Sequence, residues 1–221
     1  MLLVFGANGG VGSAIMQHAT EGGGFGPVLG VYRDMCDVSD DDSVRKFFEN
    51  VPNLDAAGSD RLFVVNATGK CVNGLCRKYT ESHLDDMIGS NVKSCFLITK
   101  HFHRACLSRP GSALLLLSSV VSLTGVAGAS AYGMCKAAVS GLVRSACKEY
   151  ARDGLRINCL RLGYYKTGMI RAVPEEMAGL LIDQTPSGKF GDMNDLWGAV
   201  EFCLTNEFLT GTTVDVNGGL A

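Results

Sequence analysis

The sequence predicts an α/β fold, a single domain spanning 1–221 and built on a doubly wound parallel sheet of about six strands. Three observations predict it. Short apolar, β-branched runs alternate with longer segments whose apolar residues recur at helical spacing, which is the pattern of strand-helix-strand units covered on both faces. The first run enters a glycine-rich turn that opens a helix. The 221 residues, 47% of them apolar, can bury one large core without a disulfide or metal staple.

The strands fall at 2–5, 28–32, 62–66, 113–118, 156–161 and 213–216, and the helical patterns at about 11–21, 40–50, 81–108, 131–152 and 193–204. Gly22-Gly-Gly-Phe-Gly26 reads as a helix-to-strand loop, and no repeat or linker divides the chain. One gap is informative. Only about half a dozen residues separate Tyr32 from the next helix start at Ser39, whereas a crossover to another parallel strand needs a dozen or more. The edge strand that doubly wound folds normally place beside the second strand is therefore expected to be shortened or missing.

Composition excludes several function classes. With 20 Lys+Arg against 22 Asp+Glu, the net charge of -2 offers no basic face for nucleic acid or anionic membrane. The nine cysteines are odd in number and contain no Cys-x-x-Cys, which argues against a disulfide framework or a zinc knuckle and for small buried hydrophobes in a reducing compartment. The stretch from Met1 to Phe5 has no basic flank, and no apolar stretch reaches the ~18–20 residues of a membrane span. A cytoplasmic protein is the expectation. Asn66-Ala-Thr68 matches a glycosylation pattern but follows an apolar run, so it is expected inside the fold. His18, His83, His101 and His103 have no carboxylate at triad spacing and read as incidental; no metal is expected.

The chemistry begins at the glycine turn, Gly6-Ala-Asn8-Gly9-Gly10-Val11-Gly12. Glycines there permit positive φ and let backbone N–H groups approach a pyrophosphate at the positive end of a helix. Further on stand Ser119, Tyr132 thirteen residues later and Lys136 four beyond that, with Asn91 upstream. Residues i and i+4 share a helix face, so Tyr132 and Lys136 project into the same space. A phenol ordinarily titrates near 10, and proton exchange near neutrality needs a cation beside its anion. Ser119 follows an apolar strand, at the sheet edge where ligands of open parallel sheets bind.

With these landmarks in order the sequence resembles the classical, single-domain short-chain dehydrogenase/reductase family, and is similar to 3-oxoacyl-[acyl-carrier-protein] reductases. The resemblance covers nearly the whole chain: Gly6-x-x-x-Gly10-x-Gly12; Asp37-Val38; Asn66-Ala67-Thr68-Gly69; Asn91; Ser119; Tyr132-x-x-x-Lys136; Leu162-Gly163 followed by Thr167; and a tail ending Asn217-Gly-Gly219. Two departures are Thr68 where the family usually has Ala and Leu162 where it has Pro. The lost crossover after Tyr32 is larger, because in relatives that region completes the adenosine pocket.

The resemblance implies a Rossmann-type fold and a nicotinamide dinucleotide. Tyr132 becomes the general acid/base; Lys136 binds the nicotinamide ribose; Ser119 donates to the substrate oxygen; Asn91 holds a water that leads to Lys136. Gly6, Asn8, Gly9, Gly10, Val11 and Gly12 cradle the pyrophosphate. Asp37 and Val38 frame the adenine, Ala67 and Gly69 floor the ribose, Thr167 meets the carboxamide or the pyrophosphate, and Asn66 and Gly163 belong to the same cofactor site. Relatives pair the helices around 81–108 and 131–152 into homodimers and homotetramers.

Charge selects the cofactor. NAD users end the second strand on an acid and NADP users on a cation; here Tyr32 takes the acidic position and Arg33 follows, which favours NADP(H), with Asp34 keeping NAD(H) open. Substrate choice is assigned to a loop at 163–191 carrying Tyr164, Tyr165, Met169, Ile170, Met177, Leu180 and Leu181, whose apolar character favours a carbonyl or alcohol substrate with an apolar body. The competing readings are a pteridine or quinonoid reductase on the same fold, and a dinucleotide-sensing protein without turnover, against which the intact proton donor argues.

Overall fold

The computed structural model describes residues 1–51, 61–167 and 173–221. Six parallel strands, β1 (Leu2–Phe5), β2 (Val28–Val31), β3 (Phe63–Asn66), β4 (Ala113–Ser119), β5 (Arg156–Leu162) and β6 (Thr213–Val216), form one sheet in the order β2-β1-β3-β4-β5-β6. The short connection after β2 leads directly into α2 (Asp41–Glu49), so β2 is the sheet edge and the customary extra strand is missing, as the gap predicts. Strand order reverses between β1 and β3, which opens a crevice at their carboxyl ends.

Alternation along the strands builds two cores. Leu3 and Phe5 of β1, Val64 of β3, and Leu114 and Leu116 of β4 face α2, α4 (Ser94–Cys106) and α6 (Ser130–Tyr150), with Phe5 set edge-on against Phe47. Leu2, Val4, Val65, Leu115 and Leu117 face α1 (Gly10–Gly22) and α8 (Met193–Thr205). A strand buried on both faces needs apolar residues at every position, which is why β4 reads Ala-Leu-Leu-Leu-Leu. Arg156, buried at the start of β5, donates to the carbonyls of Cys203 and Leu204 and so closes the C-terminal end of α8.

The helix expected over 81–108 is interrupted. It comprises α3 (Glu81–Ile88), a π-turn from Gly89 to Lys93, and α4. Within the segment assigned to a substrate loop, Glu175–Gln184 forms α7, which buries no residue; a helix so exposed leaves only a weak apolar stripe to read. Met169 and Ile170 lie outside the described residues. A further short helix, α5, covers Val121–Thr124.

All nine cysteines are free thiols and six are buried, consistent with small hydrophobes; burial pushes Cys106 up to about 12 and Cys159 to about 11. Two histidines do have carboxylate partners, supplied from distant elements. His101 Nε2 lies 2.8 Å from Asp41 Oδ1, and His103 Nε2 lies 2.8 Å from Asp153 Oδ2. They tie α4 to α2 and to the turn after α6. Among the described residues no helix is long and apolar enough to cross a membrane, and no group of three or more His, Cys, Asp or Glu could hold a metal ion.

Candidate active site

The glycine turn follows β1 directly. Gly6 adopts φ +77°, and the Gly9 N–H donates to the Gly6 carbonyl at 2.9 Å, which tightens the chain into the start of α1. A Cβ on Gly6 would sit 2.9 Å from the backbone of Ala67 and Thr68, and one on Gly12 would sit 2.2 Å from the Gly6 oxygen. Both positions are closed to any side chain. The first turn of α1 carries no acidic residue and no side-chain cap, so its N–H groups and positive dipole end remain available to an anion.

Beside this turn runs a groove of about 440 Å³. One wall carries Gly6, Asn8 and Gly9 with Arg33, Asp37 and Val38 from the connection after β2; the other carries Ala67 and Gly69 from the loop after β3. Eight of the sequence-predicted cofactor residues thus line it. Gly10, Val11 and Gly12 lie behind it, in the first turn of α1. Asn66 is buried and shapes the loop instead: its Oδ1 accepts from the Thr68 N–H at 3.1 Å and the Thr68 hydroxyl at 2.6 Å. Gly163 packs against the Asn217 backbone and lines a separate cavity of about 140 Å³ with Tyr164, Tyr165 and Lys189, while Thr167 borders neither space.

The groove also has walls that the sequence reading did not include: Ser39, and, around Gly69, Lys70, Asp85, Asp86 and Ser90. Lys70 and Ser90 adjoin Gly69 and Asn91, and that adjacency was the available signal. Asp85 and Asp86 had none, because the π-turn that rotates α3 relative to α4 is a feature of the fold.

Asn91 and Lys136 flank Gly69, Tyr132 lies beside Lys136 on α6, and Ser119 ends β4. Asn91 is fully buried in the π-turn, where an ordinary helical asparagine would be solvated; π-turns of this kind are frequent at functional sites. Its Nδ2 donates to the Lys70 carbonyl at 2.8 Å and the Met87 carbonyl at 2.9 Å, and its Oδ1 is buried without a partner. A Cβ on Gly69 would lie 2.9 Å from that Oδ1 and 3.3 Å from Lys136 Nζ, so the orphan acceptor and the ammonium flank one small space.

Lys136 is 4% exposed; its Nζ donates to the Leu117 carbonyl at 3.0 Å and lies 5.7 Å from the centre of the Tyr132 ring. Ser118 donates to the Lys136 carbonyl at 2.8 Å and pins α6 to the end of β4. Ser119, the last residue of that strand, accepts from the Val121 N–H at 3.3 Å, and its own hydrogen has no acceptor among the described residues. The two adjacent serines therefore divide their work: Ser118 is structural, and Ser119 is left with a hydrogen to give.

A reversing parallel sheet with a glycine turn at its switch point defines a doubly wound, Rossmann-type protein. The comparisons narrow the class. A family model described as enoyl-(acyl carrier protein) reductase matches residues 26–221. A 3-oxoacyl-[acyl-carrier-protein] reductase of Salmonella typhimurium is 29% identical over 188 residues, covering 84% of this chain and 76% of that protein. A (3R)-3-hydroxyacyl-CoA dehydrogenase of Canis lupus familiaris is 31% identical over 84% of this chain and 72% of its own. In fold, the chain is similar to a small-chain dehydrogenase crystallised in complex with NADPH, with a TM-score of 0.84 and 23% identity over 99% of this chain and 97% of that one. The chain belongs to the short-chain dehydrogenase/reductase family, oxidoreductases that interconvert hydroxyl and carbonyl groups with NAD(P).

Proposed function

We propose that the chain is an NADP(H)-dependent reductase of ketones, or dehydrogenase of the corresponding secondary alcohols, with Tyr132 as general acid/base. The observation that carries this reading is a buried ammonium 5.7 Å from the ring of a phenol on its own helix, and an unspent serine hydroxyl at the carboxyl end of β4 supports it. Binding alone requires neither the phenol nor the serine hydroxyl.

The residues fit a dinucleotide. The Gly6–Gly9 turn and the open N-terminus of α1 suit a pyrophosphate, Ala67 and Gly69 suit a ribose, and the buried Oδ1 of Asn91 is an acceptor that calls for a water or hydroxyl. The nicotinamide, when bound, supplies or accepts the hydride. Ser119 donates to the substrate oxygen and stabilises charge developing on it. Tyr132 passes a proton to that oxygen in reduction and removes it in oxidation. Lys136 holds the phenol oxygen's negative charge and grips the ribose hydroxyls. Asn91 orients a water that returns the proton towards Lys136. Such a donor contributes about 10²–10⁴-fold to rate.

Arg33 supports the NADP(H) preference: it lines the groove where the second strand ends and, among the described residues, makes no ion pair within 4.0 Å. A substrate with an apolar body is favoured by the exposed Leu123 on α5, in the connection after β4, and by the exposed Met177 and Leu180 on α7. The chain is read as one dinucleotide-binding domain of a cytoplasmic homo-oligomer, with exposed Phe96 on α4 and Met134 on α6 available for pairing.

The test is Tyr132→Phe, assayed by NADPH oxidation with a panel of ketones and by NADPH fluorescence titration. Turnover should fall about 10³-fold while the dissociation constant for NADPH stays within about twofold of the unmodified protein's, since the phenol is proposed to move a proton and not to hold the dinucleotide. Turnover retained in the variant would overturn the reading.

A further inference from the structure

We infer that Asp86, on α3, is a specificity residue that weighs against the 2′-phosphate of NADP(H), with Lys70 as its counterweight. The inference rests on the dinucleotide reading above. Asp86, Lys70, Arg33 and Asp37 all line the same groove, two from the loop after β3 and α3, two from the connection after β2. The Lys70 ammonium pairs directly with the Asp86 carboxylate, and both side chains are half-exposed. Asp37, by contrast, is held in its own loop by the Ser39 N–H at 2.9 Å and the Ser39 hydroxyl at 2.6 Å.

Arg33 lines the same groove as both acids. Hydrogen bonding from Lys70 is the main cause that holds the Asp86 carboxyl below its ordinary range, and the charges of His83 and Arg33 add to it; Asp37 is lowered first by Ser39, then by Arg33 and Lys93. A 2′-phosphate seated on Arg33 therefore arrives among fixed negative charges. A 2′-hydroxyl does not meet that repulsion. Lys70 neutralises Asp86 by pairing with it, so the ratio of affinities for the two dinucleotides depends on the balance of this pair. In classical terms a cation ends the second strand and decides the cofactor; here a third element, α3, adds a charge to the same groove.

The experiment measures dissociation constants of NADPH and NADH by fluorescence titration for the unmodified protein, Asp86→Asn, Lys70→Met and the double variant. Asp86→Asn keeps the shape and removes the charge, and should tighten NADPH by about three- to tenfold at low salt, as expected for one unit charge across a solvent-exposed groove, with NADH unchanged. Lys70→Met should weaken NADPH by a similar factor. The double variant, with no net change in charge, should return the NADPH/NADH ratio to near its original value. An unaltered ratio in Asp86→Asn, or equal changes for both dinucleotides, would overturn the inference. Failure of the unmodified protein to bind either dinucleotide is a different result and would overturn the function itself.

Discussion

The two ends of the candidate site are built in opposite ways. At the tetrad end the two buried polar side chains are set by backbone carbonyls, Lys136 by that of Leu117 and Asn91 by those of Lys70 and Met87, and the Lys136 carbonyl is held by the Ser118 hydroxyl. At the adenosine end the pocket wall is a set of exposed or partly exposed charges, Arg33, Asp37, Lys70, Asp85 and Asp86, at the open edge of a sheet that lacks its usual outer strand. Geometry at the first end is over-determined, so substitutions there should cost structure and rate together. At the second, single charges can change with little effect on the fold, and binding preference can be retuned cheaply.

The largest expected effect lies where the two ends meet. Gly12→Ala would force a Cβ to within 2.2 Å of the Gly6 oxygen, and the turn would have to move. A loss of about 1–3 kcal/mol of stability is expected from such overpacking, read by thermal unfolding, together with loss of NADPH binding. Retained affinity would show that the pyrophosphate does not use this turn. Next, Arg33→Asp should weaken NADPH about tenfold or more relative to NADH, because a phosphate exchanges a guanidinium for a carboxylate. An unchanged ratio would remove Arg33 from the cofactor argument. The smallest effect tests the buried end: Ser118→Ala removes one hydrogen bond to the Lys136 carbonyl and should cost about 1 kcal/mol in unfolding free energy, with turnover reduced only as far as the start of α6 shifts. A stability equal to that of the unmodified protein would mean that α6 is held by its apolar face alone.

Legibility follows the same division. The strands were readable because burial on both faces demands continuous apolar runs, and five of the six begin at the expected residue while the sixth, β3, begins one residue late. Ser119, Tyr132 and Lys136 were readable because a strand end and an i, i+4 pair place side chains by local geometry. Asn91 could be placed on a helix by periodicity, but not in a π-turn with its amide buried, since neither its neighbours nor its propensity signals that burial. For Asn66 the motif pointed to the cofactor site but did not reveal that its side chain turns inward to hold Thr68. The carboxylate partners of His101 and His103 also come from elements remote in sequence.

By itself the sequence determined the alternating architecture, the missing edge strand, the glycine turn and the helical pairing of Tyr132 with Lys136, because each depends on chain length or on residues within one or two turns of each other. Only the tertiary structure decided that Asn91 lends an unpartnered oxygen to the space beside Lys136, and that Asp86 and Lys70 line one groove with Arg33. Those arrangements require segments far apart in the chain to pack at a defined angle, and no local pattern of residues encodes that angle.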